Sequence, residues 1–186
     1  MAAMKIPLAS TEPNLPVPAA TLAGIDVRYG AGARPWIVLG IGASDPHRDW
    51  SDARWDEFLA SVRQRTPGTV FLIGGGRNAA RADKMIAHSA GAAAVNACDL
   101  KLIEALALLH RADLFIGTDS GPMNLALAAA TPAFAMFGVN PVLSYSKFIH
   151  PIEPDGGPAP DGMLRISPTM VLAQVAPYLA ARKQPA

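Results

Sequence analysis

The segment Gly-Thr-Asp-Ser-Gly-Pro, residues 117–122, is a cluster of small polar residues between two apolar segments. Pro122 suits the first position of a helix, because its ring fixes the backbone angle and its missing N–H would have no partner there. The N–H groups of Ser120, Gly121 and Met123 would then point outward at the positive end of the helix dipole. This pattern predicts an anion site, with a phosphate or diphosphate as its natural occupant.

Side chains of the same segment could add to such a site or compete with it. The hydroxyl groups of Thr118 and Ser120 can donate hydrogen bonds, and Gly121 lets a ligand approach the backbone closely. The alternative is an ordinary helix cap, in which Ser120 or Asp119 satisfies the amides of the helix itself. The residues favour the ligand but leave the cap open.

A second polar loop that contains glycine, residues 40–50 (GIGASDPHRDW), carries a cation. Arg48 could pair with a phosphate bound at residues 117–122. An isolated arginine is, however, more often a solvated surface residue. Whether Arg48 contributes therefore depends on whether the fold brings the two loops together.

The chain around these loops alternates between apolar runs and amphipathic segments. Continuous apolar runs predict five buried strands, at residues 35–42, 69–76, 92–98, 113–118 and 132–138. Helical periodicity predicts helices at residues 51–65, 77–88, 100–111, 122–130 and 168–183. This alternation is typical of an α/β fold with a doubly wound, Rossmann-like parallel sheet. In the strand order 3-2-1-4-5, the loops after strands 1 and 4 meet where the winding reverses, which is where such folds bind ligands.

Length and composition limit the classes of protein that the chain could represent. Its 186 residues are 51% hydrophobic and 17% charged, which predicts one folded domain with a substantial core. The net charge of +1 provides no broad basic face, so we expect no nucleic-acid partner. We also expect no signal peptide and no integral membrane segment. Residues 1–34 contain four prolines without sustained periodicity and are predicted to be a linker or arm, followed by the domain at residues 35–186.

Metal and cofactor chemistry have little support in the sequence. Cys98 is the single cysteine, which excludes an intrachain disulfide and favours a reducing compartment. The four histidines show no ligand spacing with one another or with Cys98, so we predict no metal site and no cofactor.

Three segments together resemble the C-terminal half of glycosyltransferase family 9, the ADP-heptose:lipopolysaccharide heptosyltransferases of Gram-negative bacteria. They are GASDPHRDWSDARWDEFLASV, FLIGGG and ADLFIGTDSGPMNLALAAATPAFAMFG, in this order within residues 36–141. The family pattern there is a Gly-Ala-Ser/Thr turn, a Lys-x-Trp-Pro motif, a Gly-Gly turn, and Asp-Ser/Thr-Gly-x-x-His opening the fourth helix. The resemblance implies one half of a B-type glycosyltransferase fold.

The family motifs assign roles to residues of this chain. By resemblance, Ser44 is the turn residue that contacts donor phosphate, and Arg48 stands for the lysine that pairs with the diphosphate. Asp119, Ser120 and Gly121 match the segment that holds the diphosphate and the donor sugar.

At other positions the match to the family is less exact in register or in residue type. Glu104 lies near the position of an acidic residue on the ribose hydroxyls, within one residue of register. Residues 137–141 (FGVNP) resemble the family's loop beside the donor. Asn124 stands where the family has histidine and Ser51 where it has proline. Asn124 can form hydrogen bonds, but it cannot carry a proton or a charge toward the leaving phosphate.

The resemblance implies a donor-binding domain that holds an ADP-sugar, from which heptose or a related sugar is transferred to the lipopolysaccharide inner core. In the family, an N-terminal domain binds the lipid-linked acceptor and supplies a catalytic aspartate. We therefore expect the isolated chain to be an inactive part of a larger enzyme, located in the cytoplasm or peripherally at the inner membrane. The alternative is a stand-alone, non-catalytic module that binds a nucleotide or nucleotide-sugar.

Overall fold

The computed structural model describes residues 12–181 of the chain. Within this range the strands are β1 (Trp36–Gly40), β2 (Thr69–Ile73), β3 (Ala94–Asn96), β4 (Leu114–Thr118), β5 (Ala133–Met136) and β6 (Ile149–Ile152). The helices are α1 (Ala19–Tyr29), α2 (Asp52–Arg65), α3 (Ala79–His88), α4 (Leu102–Arg111), α5 (Gly121–Ala128), α6 (Gly162–Arg165) and α7 (Pro168–Ala181). Short 3-10 turns at Pro46–Arg48 and Gly76–Asn78 precede α2 and α3.

The strands form one six-stranded sheet in the order β3-β2-β1-β4-β5-β6, and every neighbouring pair is parallel. The structure confirms the predicted α/β fold with a doubly wound sheet, and it adds β6 at the edge beside β5. Strands β1 and β4 are adjacent, with Gly40 opposite Gly117 at their carboxyl ends. The loops that follow these two strands therefore leave the sheet side by side.

Apolar side chains cover both faces of this sheet, which explains why its central strands are continuous apolar runs. On one face, Ile37 and Leu39 of β1 pack with Trp55 and Phe58 of α2 and with residues of α3 and α7. On the other face, β1 and β4 pack with residues of α1, α4 and α5. The sheet is thus packed between two helical layers, and the loops at its carboxyl edge start from this buried core.

Three elements have no counterpart in the sequence prediction. Helix α1 lies within the segment predicted as a linker or arm, where it buries Ile25 and packs against α4. Strand β6 contains Pro151, which removes a backbone donor and is tolerated because β6 is an edge strand. Helix α6 spans four residues, too few for a periodic signal. The last predicted helix ends at Ala181 within the described range, and its predicted end at residue 183 lies outside the described residues.

Among residues 12–181, no helix is long and apolar enough to cross a membrane.

Two glycines give a matched test of the packing. A Cβ at Gly162 would lie 1.7 Å from the carbonyl oxygen of Gly138, so Gly162→Ala should lower the free energy of unfolding by about 1–3 kcal/mol. Gly24 lies exposed in α1, and a Cβ there meets nothing within 4 Å. Gly24→Ala should therefore raise the free energy of unfolding by about 0.5–1 kcal/mol. Urea unfolding of both variants checks the pair, and equal effects would contradict the packing around α6.

Candidate functional site

The two predicted loops meet at the carboxyl edge of the sheet. Asp45 accepts a hydrogen bond from the His47 N–H at 3.0 Å and so begins the 3-10 turn that carries Arg48. Arg48 Nη1 donates to the backbone carbonyl of Asp119 at 3.3 Å and lies 3.7 Å from Asp119 Oδ2. A cation from the loop after β1 is thus fixed beside the segment at residues 117–122.

The carboxylate of Asp119 connects a third loop to the same place. Asn140, in the loop after β5, donates from Nδ2 to Asp119 Oδ2 at 2.8 Å. Asp119 is 9% exposed, and its charge faces Arg48. The aspartate therefore holds two neighbouring loops, through its carboxylate and its backbone carbonyl, and its carboxylate does not cap α5.

The start of α5 distinguishes between the two interpretations of residues 117–122, an anion site and an ordinary helix cap. Ser120 is the N-cap residue, but its Oγ donates to the carbonyl of Thr118 at 3.1 Å, and no described side chain caps the helix. The helix begins at Gly121, so Pro122 occupies the second helical position and not the predicted first one. The backbone N–H of Asn124 donates to the Ser120 carbonyl at 3.3 Å, and the positive end of the helix has no side-chain cap from residues 12–181. This geometry is suited to an external anion.

The hydroxyl of Thr118 was expected to face a ligand, but the structure places this side chain inside the protein. It is fully buried, and alternation along β4 places its side chain on the face of Leu114 and Ile116, which is opposite to the face covered by α5. Within the described residues its Oγ1 has no hydrogen-bond partner. In the structure, Thr118 contributes to the segment at residues 117–122 through its backbone carbonyl, which accepts a hydrogen bond from Ser120 Oγ.

An apolar cavity of about 530 Å³ opens beside the start of α5. It lies between the loop after β2, the beginning of α4 and the beginning of α5. Its described walls are almost entirely glycine and aliphatic side chains, with Asn124 as their polar side chain. Gly121 belongs to this wall, and a Cβ built on it would meet nothing within 4 Å. The cavity has the size typical of small-molecule sites and adjoins the anion site.

The remaining predicted residues divide between this site and another part of the surface. Asn124 lines the cavity, and Ser44 lies exposed on the loop after β1. Glu104 does not line this cavity within residues 12–181; its Oε2 accepts from the N–H of Lys101 at 2.7 Å and closes the first turn of α4. Glu104 lines a separate groove of about 430 Å³ between α1 and α4. Its assignment to the ribose stays a prediction.

Tyr145 is a residue of the site for which sequence reasoning found no signal. Its hydroxyl donates to Asn124 Oδ1 at 2.5 Å, although the two residues belong to different elements. Burial, and secondarily the negative charge of Asp119, raise the pKa of the Tyr145 phenol above its ordinary value. Asn140, by contrast, belongs to the segment FGVNP, whose resemblance to a donor-side loop did point to this place.

Comparison with solved structures shows the same fold in proteins about twice as long. ADP-heptose lipopolysaccharide heptosyltransferase II of E. coli superposes with a TM-score of 0.76 at 20% identity, covering 92% of this chain and 54% of the other. A family 9 glycosyltransferase from Veillonella parvula gives a TM-score of 0.77 at 16% identity, covering 93% of this chain and 55% of the other. E. coli heptosyltransferase WaaC with ADP-2-deoxy-2-fluoro heptose gives 0.62 at 15% identity, with 78% and 44% covered.

Sequence comparison gives the family directly. No curated protein sequence matches the chain. The family model described as glycosyltransferase family 9 (heptosyltransferase) matches residues 2–153, which is most of the sequence and includes the loops of the site. The chain therefore belongs to glycosyltransferase family 9, as its resemblance predicted.

Proposed function

We propose that this chain is the donor-binding domain of a glycosyltransferase that transfers heptose, or a related sugar, from an ADP-sugar to the lipopolysaccharide inner core. The observation that carries the proposal is the uncapped start of α5, with Arg48 on one side and the apolar cavity on the other. A nucleoside diphosphate would fit this arrangement, because it joins a charged diphosphate to a flat base that can pack against aliphatic side chains.

The diphosphate would lie over the first turn of α5. The backbone amides of Gly121 and Met123 and the positive end of the helix dipole favour an anion there. Arg48 is held by bonds of 3.3 Å and longer, so its guanidinium retains donors for phosphate oxygens. Ser44 lies on the same loop and is proposed as a further phosphate contact. As the donor bond breaks, these groups would stabilise the negative charge that develops on the diphosphate.

The nucleoside would occupy the apolar cavity. Its wall includes Ile73, Leu102 and Leu125, which can pack against a base. Asn124 lines the same cavity close to the start of α5, and we propose that it contacts the donor between the base and the sugar. The relatives support this class of donor. One is named an ADP-heptose lipopolysaccharide heptosyltransferase. Another, heptosyltransferase WaaC, was solved with ADP-2-deoxy-2-fluoro heptose.

The acceptor and the catalytic base are proposed to come from another domain. This chain spans about half the length of the solved relatives that share its fold. We propose that residues 1–34 include the connection to an acceptor-binding domain and that residues 35–186 are the donor-binding domain. A lipid-linked acceptor would bring the assembled enzyme to the cytoplasmic surface of the inner membrane.

Arg48→Ala tests the phosphate half of the site. The variant should bind ADP about 10-fold to 150-fold more weakly and adenosine almost normally, because a charge-assisted bond to phosphate is lost. Loss of the cation also leaves the Asp119 carboxylate facing the phosphate. Calorimetric titration of the variant and of the wild-type chain with both ligands measures the difference.

The matched control for this experiment is Arg111→Ala. Arg111 also forms an ion pair with an aspartate, Asp26, at 2.6 Å. It is the last residue of α4 and lies just before the start of β4, away from the carboxyl end of that strand where the site lies. This control should leave the affinity for ADP unchanged. Equal weakening of ADP and adenosine binding in Arg48→Ala would show that Arg48 does not touch phosphate.

Gly121→Val tests close approach to the helix start. A Cβ at this position enters open space, so the variant should fold with little loss of stability. The side chain would occupy the space proposed for the diphosphate, and ADP binding should fall about as much as in Arg48→Ala. Titration with ADP, alongside thermal unfolding, separates the two effects. Undiminished ADP binding by a folded variant would place the ligand elsewhere.

The isolated 186-residue chain tests the division of labour between domains. It should bind ADP weakly and transfer no sugar, because half of the cleft that orders donor and acceptor is missing. An assay with ADP-heptose and a lipid A-core acceptor measures transfer. Transfer by the isolated chain would contradict the proposal, and a parent reading frame without a preceding domain would favour a stand-alone module.

A further inference from the structure

Tyr145 lies over the start of α5 and contacts a residue of the donor site. It belongs to the loop between β5 and β6, and its side chain is 44% exposed. The phenol oxygen is 2.5 Å from Oδ1 of Asn124, which lines the apolar cavity. The proposed function assigns no role to this tyrosine.

The hydrogen-bond partners of Asn124 determine which way its amide faces. Its Nδ2 lies 3.4 Å from the carbonyl oxygen of Ser120, which can only accept a hydrogen bond. Oδ1 must then be the atom that faces Tyr145, whose hydroxyl donates. This arrangement leaves the second N–H of the amide for a ligand. Without Tyr145, only the 3.4 Å contact with the Ser120 carbonyl would oppose rotation of the amide, and a rotated amide would present its oxygen, which repels a phosphate.

The loop that carries Tyr145 is held on both sides of the residue. Asn140 binds Asp119 at 2.8 Å before it. After it, Glu12 accepts from Ser146 Oγ at 2.6 Å and from the Lys147 N–H at 3.1 Å. A tyrosine phenol carries its proton near neutral pH, and the raised pKa of Tyr145 moves its ionisation further from that range, so the hydroxyl is a donor. Tyr145 is thus a fixed donor next to Asn124.

We infer that Tyr145 is a positioning residue of the donor site, which holds the Asn124 amide so that an N–H group, and not the carbonyl oxygen, faces the donor diphosphate. The inference rests on the proposed function, because it requires the diphosphate to lie at the start of α5.

A double-mutant cycle tests the inference. Tyr145→Phe should weaken ADP binding about twofold to tenfold while leaving adenosine binding unchanged, because one neutral hydrogen bond is removed. In an Asn124→Ala background the same change should have no further effect. Calorimetric titration of the wild-type chain, both single variants and the double variant completes the cycle. Tyr29→Phe is the matched control, because the buried Tyr29 hydroxyl has no described partner.

A spectroscopic measurement separates positioning from general support of the fold. The side-chain amide signal of Asn124, identified by its loss in Asn124→Ala, should shift in the nitrogen-proton correlation spectrum of Tyr145→Phe. It should stay in place in Tyr29→Phe. An unmoved Asn124 signal, or weakening that adds fully to that of Asn124→Ala, would overturn the inference.

The outcomes also distinguish this inference from the proposed function. If the wild-type chain binds ADP and Tyr145→Phe binds it equally well, the inference alone is wrong. If the wild-type chain does not bind ADP, the proposed function is wrong and the inference is overturned with it.

Discussion

The interactions of Asp119 hold the site together. Its carboxylate accepts from Asn140, its backbone carbonyl accepts from Arg48, and its own amide donates to the carbonyl of Met136 at 3.1 Å. Loops that follow three different strands are joined in this way at one point. Because the carboxylate is occupied by these contacts, and Ser120 donates to Thr118, no side chain in the described part of the chain caps the start of α5. The site depends on this diversion of the two residues that could otherwise have capped the helix.

The sheet places Asp119 where such contacts can form. The winding reverses between the neighbouring strands β1 and β4, so their loops start side by side and lead to helices on opposite faces of the sheet. Gly40 and Gly117 lie opposite each other, and a Cβ on either would come within 2.5 Å of the Phe115 ring. The ring therefore fills the space beneath the site. Fold and site are thus linked through a few small residues at the carboxyl edge.

Much of this arrangement could be predicted from the sequence, because it rests on local patterns. Apolar runs predicted β1, β2, β4 and β5, and the doubly wound order then predicted that the loop of Arg48 would meet residues 117–122. Contacts that depend on the tertiary path could not be predicted. The hydrogen bond by which the Glu104 carboxylate closes the first turn of α4 was also not predicted, and the proposed contact of Glu104 with the ribose stays a prediction. Tyr145 lies in an irregular loop whose course depends on Glu12 and Asp119, so no spacing could link it to Asn124. Edge strand β6 was missed because its proline resembles a strand breaker.

A crystal structure of the chain with bound ADP is the most direct measurement of the central claim, that the uncapped start of α5 and the adjoining cavity bind a nucleoside diphosphate. The account predicts phosphate oxygens within about 3 Å of the Gly121 amide and of the Arg48 guanidinium, with the base in the apolar cavity. Ser120 should keep its bond to Thr118, since the ligand takes the place of a cap. ADP bound at another edge of the sheet, or a Ser120 side chain turned to cap α5 with no phosphate beside it, would contradict the account.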